Sequence, residues 1–314
     1  MRFAILGDLH YSDYASADHA AARDRLFHHF FQQVAATQPD LVFAVGDVTN
    51  LGTMTELVGL QAVATDCGIS LINVVGNHDA WNLDKQELAP FFLGGRPSAN
   101  SPSANSGADL YTSFEVGSIH FALLDTTRSQ EFGRNCGGFV SQAQLDWLGD
   151  RVEECDRSQH LQWLMVIGHH ALHNTTRRST RPMSHVENSE ALWQVMSKLQ
   201  RNRGCYWCGH NHDHSIHHPE GSAWYCVQTA DPLDCKSFRL VEVGDTELVA
   251  NTVDFCLEDA QLQADFETVR QNIAARFKPQ LFESAYGTAS DRRLTVRHSA
   301  KLGTASDDME PCRA

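Results

Sequence analysis

Five times in its first 212 residues the chain runs an apolar stretch into a short cluster of Asp, His and Asn. The stretches are FAIL (3–6), LVFAV (41–45), LINVV (71–75), LMVI (164–167) and CYWC (205–208). The clusters are Asp8-Leu9-His10, Gly46-Asp47, Gly76-Asn77-His78-Asp79, Gly168-His169-His170 and Gly209-His210-Asn211-His212. Apolar runs of that length, bounded by glycine, read as buried strands. The polar clusters therefore fall just past the carboxyl ends of successive strands, where open α/β sheets bind their ligands. Carboxylate, amide and imidazole donors together suit divalent first-row metals. One such cluster would say little; five in order, each on a strand end, define a site.

The intervening chain fits an α/β fold. Residues 18–37 carry Leu26, Phe27, Phe30, Phe31 and Val34 at helical spacing, and residues 53–66 read as a second helix ended by Gly68. Strand–helix–strand–helix–strand is the parallel crossover pattern. A hairpin is expected over 111–125 around Gly117-Ser118. Ser141-x-x-Gln144 reads as a capping box opening a helix with Leu145, Leu148 and Val152. Asn188 or Ser189 opens another, and strands near 224–229, 237–243 and 247–254 are expected to complete a second sheet. The predicted architecture is a four-layer α/β/β/α sandwich of two mixed sheets. Residues 1–256 are expected to form the domain that carries the site, 257–284 a helical extension and 285–314 a loosely held polar tail. In the extension, Leu262, Phe266, Val269, Ile273 and Phe277 make an apolar stripe that packs on the domain or on a second subunit, the latter giving a homodimer. Residues 93–109 read as a surface loop or as a lid near the site.

Composition excludes several classes. A formal net charge of −14 disfavours extended nucleic-acid contacts, which depend on Lys and Arg neutralising phosphates. It leaves a small phosphorylated substrate open, because bound cations can dominate a local field. No apolar run is long enough for a membrane-spanning helix. Nine scattered cysteines, and a first ligand candidate as early as Asp8, point to a reduced, cytoplasmic protein without a cleaved leader. Cys205 and Cys208 have C-x-x-C spacing, but inside a strand they read as buried structural thiols.

The ordered motifs D-x-H, G-D, G-N-H-D, G-H and G-H-x-H resemble those of the calcineurin-like metallophosphoesterase superfamily, closest to its class III cyclic-nucleotide phosphodiesterase and glycerophosphodiesterase branch. Leu123-Leu124-Asp125-Thr126, and Gly138 followed by Gln144-Leu145-Asp146-Trp147-Leu148, are similar to that branch too. The resemblance implies two divalent metal ions (Mn, Fe, Zn or Co) bridged by Asp47. Asp8, His10 and His212 would complete one, and Asn77, His169 and His210 the other. Two residues apart on extended chain, Asp8 and His10 point to one side. Two divalent metals with Asp8, Asp47 and a bridging hydroxide leave about one positive charge, matched to a phosphodiester monoanion. The resemblance further implies attack by that hydroxide on phosphorus, with His78 assisting the leaving alkoxide and Asp79 fixing the His78 ring.

Around this centre, His170 reads as a supporting residue or a substrate contact. Asn50, Trp81 and His173 could line the pocket, with Trp81 reading equally as a packing residue. Arg177, Arg178 and Arg181, in the polar stretch 171–187, read as rim groups for substrate or as solvated surface, as do Arg128 and Arg134. Asp125 reads as a structural hydrogen-bonding group. The expected function is hydrolysis of a small phosphodiester, a cyclic nucleotide first. The rivals are a phosphomonoesterase or nucleotide pyrophosphatase on the same site, and a non-catalytic binding module that keeps the fold.

Overall fold

The computed structural model describes residues 1–92, 110–128, 136–273 and 283–297. Strand β1 (Arg2–Leu6) shows why the apolar runs are continuous: Phe3 and Ile5 face one core, Ala4 and Leu6 another. A strand covered on both faces keeps no polar side. Parallel to β1 run β2 (Leu41–Ala44) and then β3 (Leu71–Asn73). Their crossovers are α1 (Ala17–Ala36) and α2 (Met54–Asp66). Phe27, Phe30, Phe31 and Val34 of α1 share a core with Ala4, Leu6, Val42 and Ala44. A full capping box between Thr53 and Glu56 starts α2, and Gly68, at φ +73°, follows its end.

The second sheet has the order β4-β5-β6-β7-β9-β8. Its strands are β4 (Thr112–Val116), β5 (Ile119–Leu123), β6 (Trp163–Ile167), β7 (Arg203–Cys208), β8 (Ser215–His217) and β9 (Trp224–Gln228). Helix α3 (Lys85–Phe92) precedes the sheet in sequence. Helices α4 (Gln142–Arg157) and α5 (Ser189–Met196) cover its outer face, with Leu145, Leu148, Val152, Leu192 and Met196 against Ala122, Leu164, Val166 and Tyr206. Between the sheets Phe3, Phe43 and Phe121 interlock with Trp163, Met165 and Trp207. The result is the α/β/β/α sandwich of two mixed sheets. Cys205 and Cys208 lie buried on opposite faces of β7, as strand alternation requires.

Three expectations change, and of the two places open to the α7 stripe one is occupied. After the short helix α6 (Pro232–Cys235), strands β10 (Ser237–Val243) and β11 (Glu247–Asp254) do not join the second sheet. They return to the first, β10 pairing antiparallel with β1 in the register Phe3↔Val241. Alternation identifies a strand but not its sheet; here Val241 and Val243 fit the inter-sheet core while Phe238 fits the α1 layer. The apolar stripe of α7 (Ala260–Asn272) packs on the domain itself: Phe266, Val269 and Ile273 meet Leu26 and Leu233. The segment read as the start of a loose tail instead forms α8 (Ala289–Arg292) and β12 (Arg293–Arg297), the latter an edge strand on β11. Its alternating burial explains the polar composition, since Arg293, Thr295 and Arg297 are only the solvent face. Finally, Gln144 does not close a capping box. Ser141 accepts from its backbone, but its side chain turns to both backbone groups of Asp125. The loop 93–109, Arg134, Phe277 and the end of the tail lie outside the described residues.

Candidate metal centre

The clusters after β1, β2, β3, β6 and β7 converge at one edge of the sandwich. Four of their donors adopt left-handed backbone: His10 (φ 45°), Asp47 (φ 47°), His210 (φ 66°) and His212 (φ 55°). Non-glycine residues seldom do so, at about 1–3 kcal/mol each. Backbone bonds between the loops hold them there, including His10 N–H to the Asp47 carbonyl and Gly209 N–H to that of His169, each 2.9 Å. Two motif glycines are needed for close approach. A Cβ on Gly76 would lie 2.1 Å from the Asp47 backbone N and Oδ1, and one on Gly209 would lie 2.5 Å from Asp8 Oδ2.

The donors form two groups. In the first, the ligand atoms of Asp8, His10 and His212 lie within 4.8 Å of one another, and the Nε2 atoms of His10 and His212 are 3.2 Å apart. In the second, His169 Nε2 is 3.1 Å from Asn77 Oδ1, 3.1 Å from His210 Nδ1 and 3.3 Å from Asp47 Oδ2. Asp47 also clusters with Asp8 and with His10, so it joins both groups. Ligands about 2.0–2.2 Å from a shared cation are spaced roughly 3 Å apart. Asp8 Oδ2 is buried without a hydrogen-bond partner, which is costly for a carboxylate oxygen in the absence of a cation. The other Asp8 oxygen accepts from His210 N–H at 2.8 Å. These residues fit a pair of divalent cations.

Three imidazoles are fixed from behind. His169 Nδ1 pairs with the Val45 carbonyl at 2.8 Å and His210 Nε2 with the Met183 carbonyl at 2.9 Å, while His212 Nδ1 lies 3.2 Å from Asp234 Oδ2. Each pairing leaves the other nitrogen facing the centre, as metal-ligating histidines require. The charges are arranged for a cation. Burial pushes Asp47 up, but the imidazoles of His169, His78 and His10 outweigh it and hold the carboxyl well below its usual range. Burial lowers His169, yet Asp47 and Asp8 bring it to about 9; burial lowers His212, yet Asp234, Asp8 and Asp231 bring it to about 10. Without metal, protons on these two rings answer the buried carboxylates; a bound cation would displace them.

All seven predicted donors are thus brought together. His78 joins them, half-buried, its N–H donating to Asp47 Oδ1 at 2.7 Å and its ring edge-on to His10 and Trp81. Asp79 does not fix the His78 ring as expected. Its oxygens take the Thr49 N–H and hydroxyl and the Gly76 N–H, tying two ligand loops together, and the His78 Nδ1 partner is the Asn50 carbonyl at 2.6 Å. A backbone carbonyl in that place has no signature in the sequence. Burial and Asp47 raise Asp79 to about 7.

Of the two roles open to His170, the supporting one is what the structure displays. Both its ring nitrogens are engaged, with Thr126 Oγ1 and the Cys136 carbonyl, and it packs under His210. Arg177 and Arg178 are drawn into ion pairs with Asp291 (3.3 Å) and Asp213 (2.8 Å), whereas Arg181 is exposed. Asp125 is structural, holding Thr127 and Leu110 and pairing with buried Lys85 at 2.7 Å. The sequence reading missed Lys85, Asp231 and Asp234. For the last two a signal existed: Asp231-Pro232 is a helix-start dipeptide with a second carboxylate three residues on.

A dinuclear-type donor set at the strand ends of a two-sheet α/β sandwich defines the class of site. Residues 1–214 match calcineurin-like phosphoesterases, and the chain belongs to that family. A probable cyclic nucleotide phosphodiesterase of Vesicomyosocius okutanii subsp. Calyptogena okutanii is 23% identical over 174 residues, 55% of this chain and 62% of that protein. This chain therefore spans less than two thirds of that relative's length. Among solved structures, a dimetal phosphatase from Danio rerio superposes with TM-score 0.67 at 17% identity, over 81% of this chain and 97% of that one. GAP50, the anchor in the inner membrane complex of Plasmodium, superposes with TM-score 0.54 at 12% identity, over 91% and 98%. Both likenesses are of fold. No helix among the described residues is long and apolar enough to cross a membrane.

Proposed function

We propose that this chain is a dinuclear metal-dependent phosphodiesterase of the cytoplasm, acting on a small soluble diester, with a cyclic nucleotide the leading candidate. One observation carries this reading: seven donors from five strand ends face inward as two groups joined by Asp47, in a member of a phosphoesterase family. The similarity to a probable cyclic nucleotide phosphodiesterase supports the choice of diester. Asp8, His10 and His212 would hold one cation and Asn77, His169 and His210 the other, with Asp47 shared. Bound cations supply a water of lowered pKa and offset charge on the phosphoryl oxygens. The chain's own part is positioning and proton transfer. His78 donates Nδ1–H to the Asn50 carbonyl, so Nε2 is the nitrogen left for the leaving oxygen, to which the doubly protonated ring would deliver a proton. Trp81 packs edge-on to that ring and keeps it from turning. Arg181, exposed where Arg177 and Arg178 are ion-paired, would be the arginine to meet a second anionic group. The catalytic unit would span 1–256, with 257–284 as its helical extension.

The test is a metal-reconstituted screen of bis-(p-nitrophenyl) phosphate, p-nitrophenyl phosphate, cyclic AMP and a nucleotide diphosphate compound. Cleavage of the first and third above the others is expected. Preference for the monoester or the diphosphate would move the chain to the phosphatase or pyrophosphatase reading. Two bound metals with no turnover of any substrate would make it a binding module on this fold.

A further inference from the structure

Among the three imidazoles fixed from behind, His212 alone is held by a side chain. That side chain belongs to α6, a single helical turn anchored at both ends. Asp231 caps its start, Oδ1 accepting the Leu233 N–H at 2.5 Å, with Pro232 at the first helical position. Lys236, at φ 47°, closes it by donating to the Pro232 carbonyl. The turn has too few residues to tilt freely, so the direction of Asp234 is set by its ends. Asp234 Oδ2 then lies 3.2 Å from His212 Nδ1. Asp231 Oδ2, buried and without a hydrogen-bond partner, lies 3.8 Å from the same nitrogen.

We propose that Asp234, with Asp231 behind it, is a positioning residue for His212 that makes the Asp8–His10–His212 group the tighter of the two cation sites. Accepting the Nδ1 proton fixes the tautomer and aims the Nε2 lone pair at His10 and Asp8. A full negative charge on the acceptor raises the donor strength of that lone pair more than the carbonyls behind His169 and His210 do. Both carboxylates lie beyond residue 214, where the family match ends.

The inference rests on the dinuclear reading, and its test separates the two. Metal-depleted full-length protein is titrated with Mn²⁺ by calorimetry, as wild type, Asp234→Asn and Asp234→Glu, with melting curves alongside. Wild type should bind two ions with unequal affinity. Asp234→Asn should loosen the tighter one about 10–100-fold, leave the weaker one and the melting temperature in place, and be partly rescued by Asp234→Glu. Unchanged affinities overturn the inference, as does equal loosening of both ions with a lower melting temperature. Fewer than two ions in wild type refutes the dinuclear reading instead. The positioning role of Asp234 is then decided on unmutated protein by ¹⁵N-histidine spectroscopy: a slowly exchanging His212 Nδ1–H supports it, and fast exchange of that proton overturns it.

Discussion

The two halves of the metal centre are supported differently. In the half built on His169 and His210, the outer nitrogens meet carbonyls of Val45 and Met183. In the half built on His10 and His212, the outer nitrogen of His212 meets a carboxylate from α6. A carbonyl acceptor is present whatever residue occupies the position, so that half tolerates sequence change as long as the loop keeps its course. A carboxylate is a choice of residue, and it carries charge. Within one chain, then, the groups behind the donors are a carbonyl in one half and a carboxylate in the other.

Five substitutions would break or sharpen that comparison. The largest effect is expected at the joint. Asp47 belongs to both halves, so Asp47→Ala should empty both together and reduce hydrolysis at least ~10³-fold, the upper end of what loss of one stabilising group costs elsewhere. Elemental analysis that still finds one full equivalent of metal would show the halves to be independent. His78→Ala comes next. It should lower kcat on a diester with a poor leaving group by about 10²–10⁴-fold, less on a nitrophenyl ester, with both metals retained. Equal losses on both esters together with metal loss would return His78 to a structural role.

The third substitution separates the halves sterically. A methyl on Gly209 meets the Asp8 carboxylate at 2.5 Å, so Gly209→Ala should weaken the Asp8 group selectively, at a stability cost of about 1–3 kcal/mol typical of overpacking. Gly76→Ala presses instead on Asp47 at 2.1 Å and should weaken both halves. Metal titration of the two variants checks the contrast; identical profiles would mean that the halves relax as one body.

The donors were legible in the sequence because each motif is local: apolar strand, glycine, ligand. The layers were legible for the same reason, as in the alternation of Phe3 and Ile5 against Ala4 and Leu6. What stayed hidden depends on pairing across distance. Asp234 reaches His212 only because the chain passes through β8 and β9 and returns to the site at α6, between β9 and β10. Whether β10 joins one sheet or the other is decided by which core accepts Val241, and no local pattern records that. The carbonyls of Asn50, Val45 and Met183 have no residue identity to read. Arg177 and Arg178 looked like substrate contacts because Asp291, one of their partners, is more than a hundred residues away.

The smallest effect is expected at that same Asp291, the tie that reaches both halves. Its carboxylate accepts from Ile216 N–H on the strand after His212 and pairs with Arg177 on the loop that carries Met183; Thr288 adds its N–H and hydroxyl. Burial pushes the carboxyl up, but the Thr288 and Ile216 bonds and Arg177 outweigh it, leaving it below the ordinary value. A carboxyl depressed in the folded state contributes stability that is present above the unfolded value, about 3.9, and lost as pH falls through the lower folded value. Asp291→Asn should therefore cost about 1–3 kcal/mol at neutral pH, a melting temperature lower by several degrees. The gap to wild type should begin to close as pH drops below about 4 and be gone once pH is below the lower folded value, where both carry a neutral group. Because Asp291 serves both halves, the two metal affinities should shift together and slightly. A gap that persists undiminished at pH 2 would show that the group acts by shape rather than by charge, and a shift confined to one ion would place the tie on that half alone.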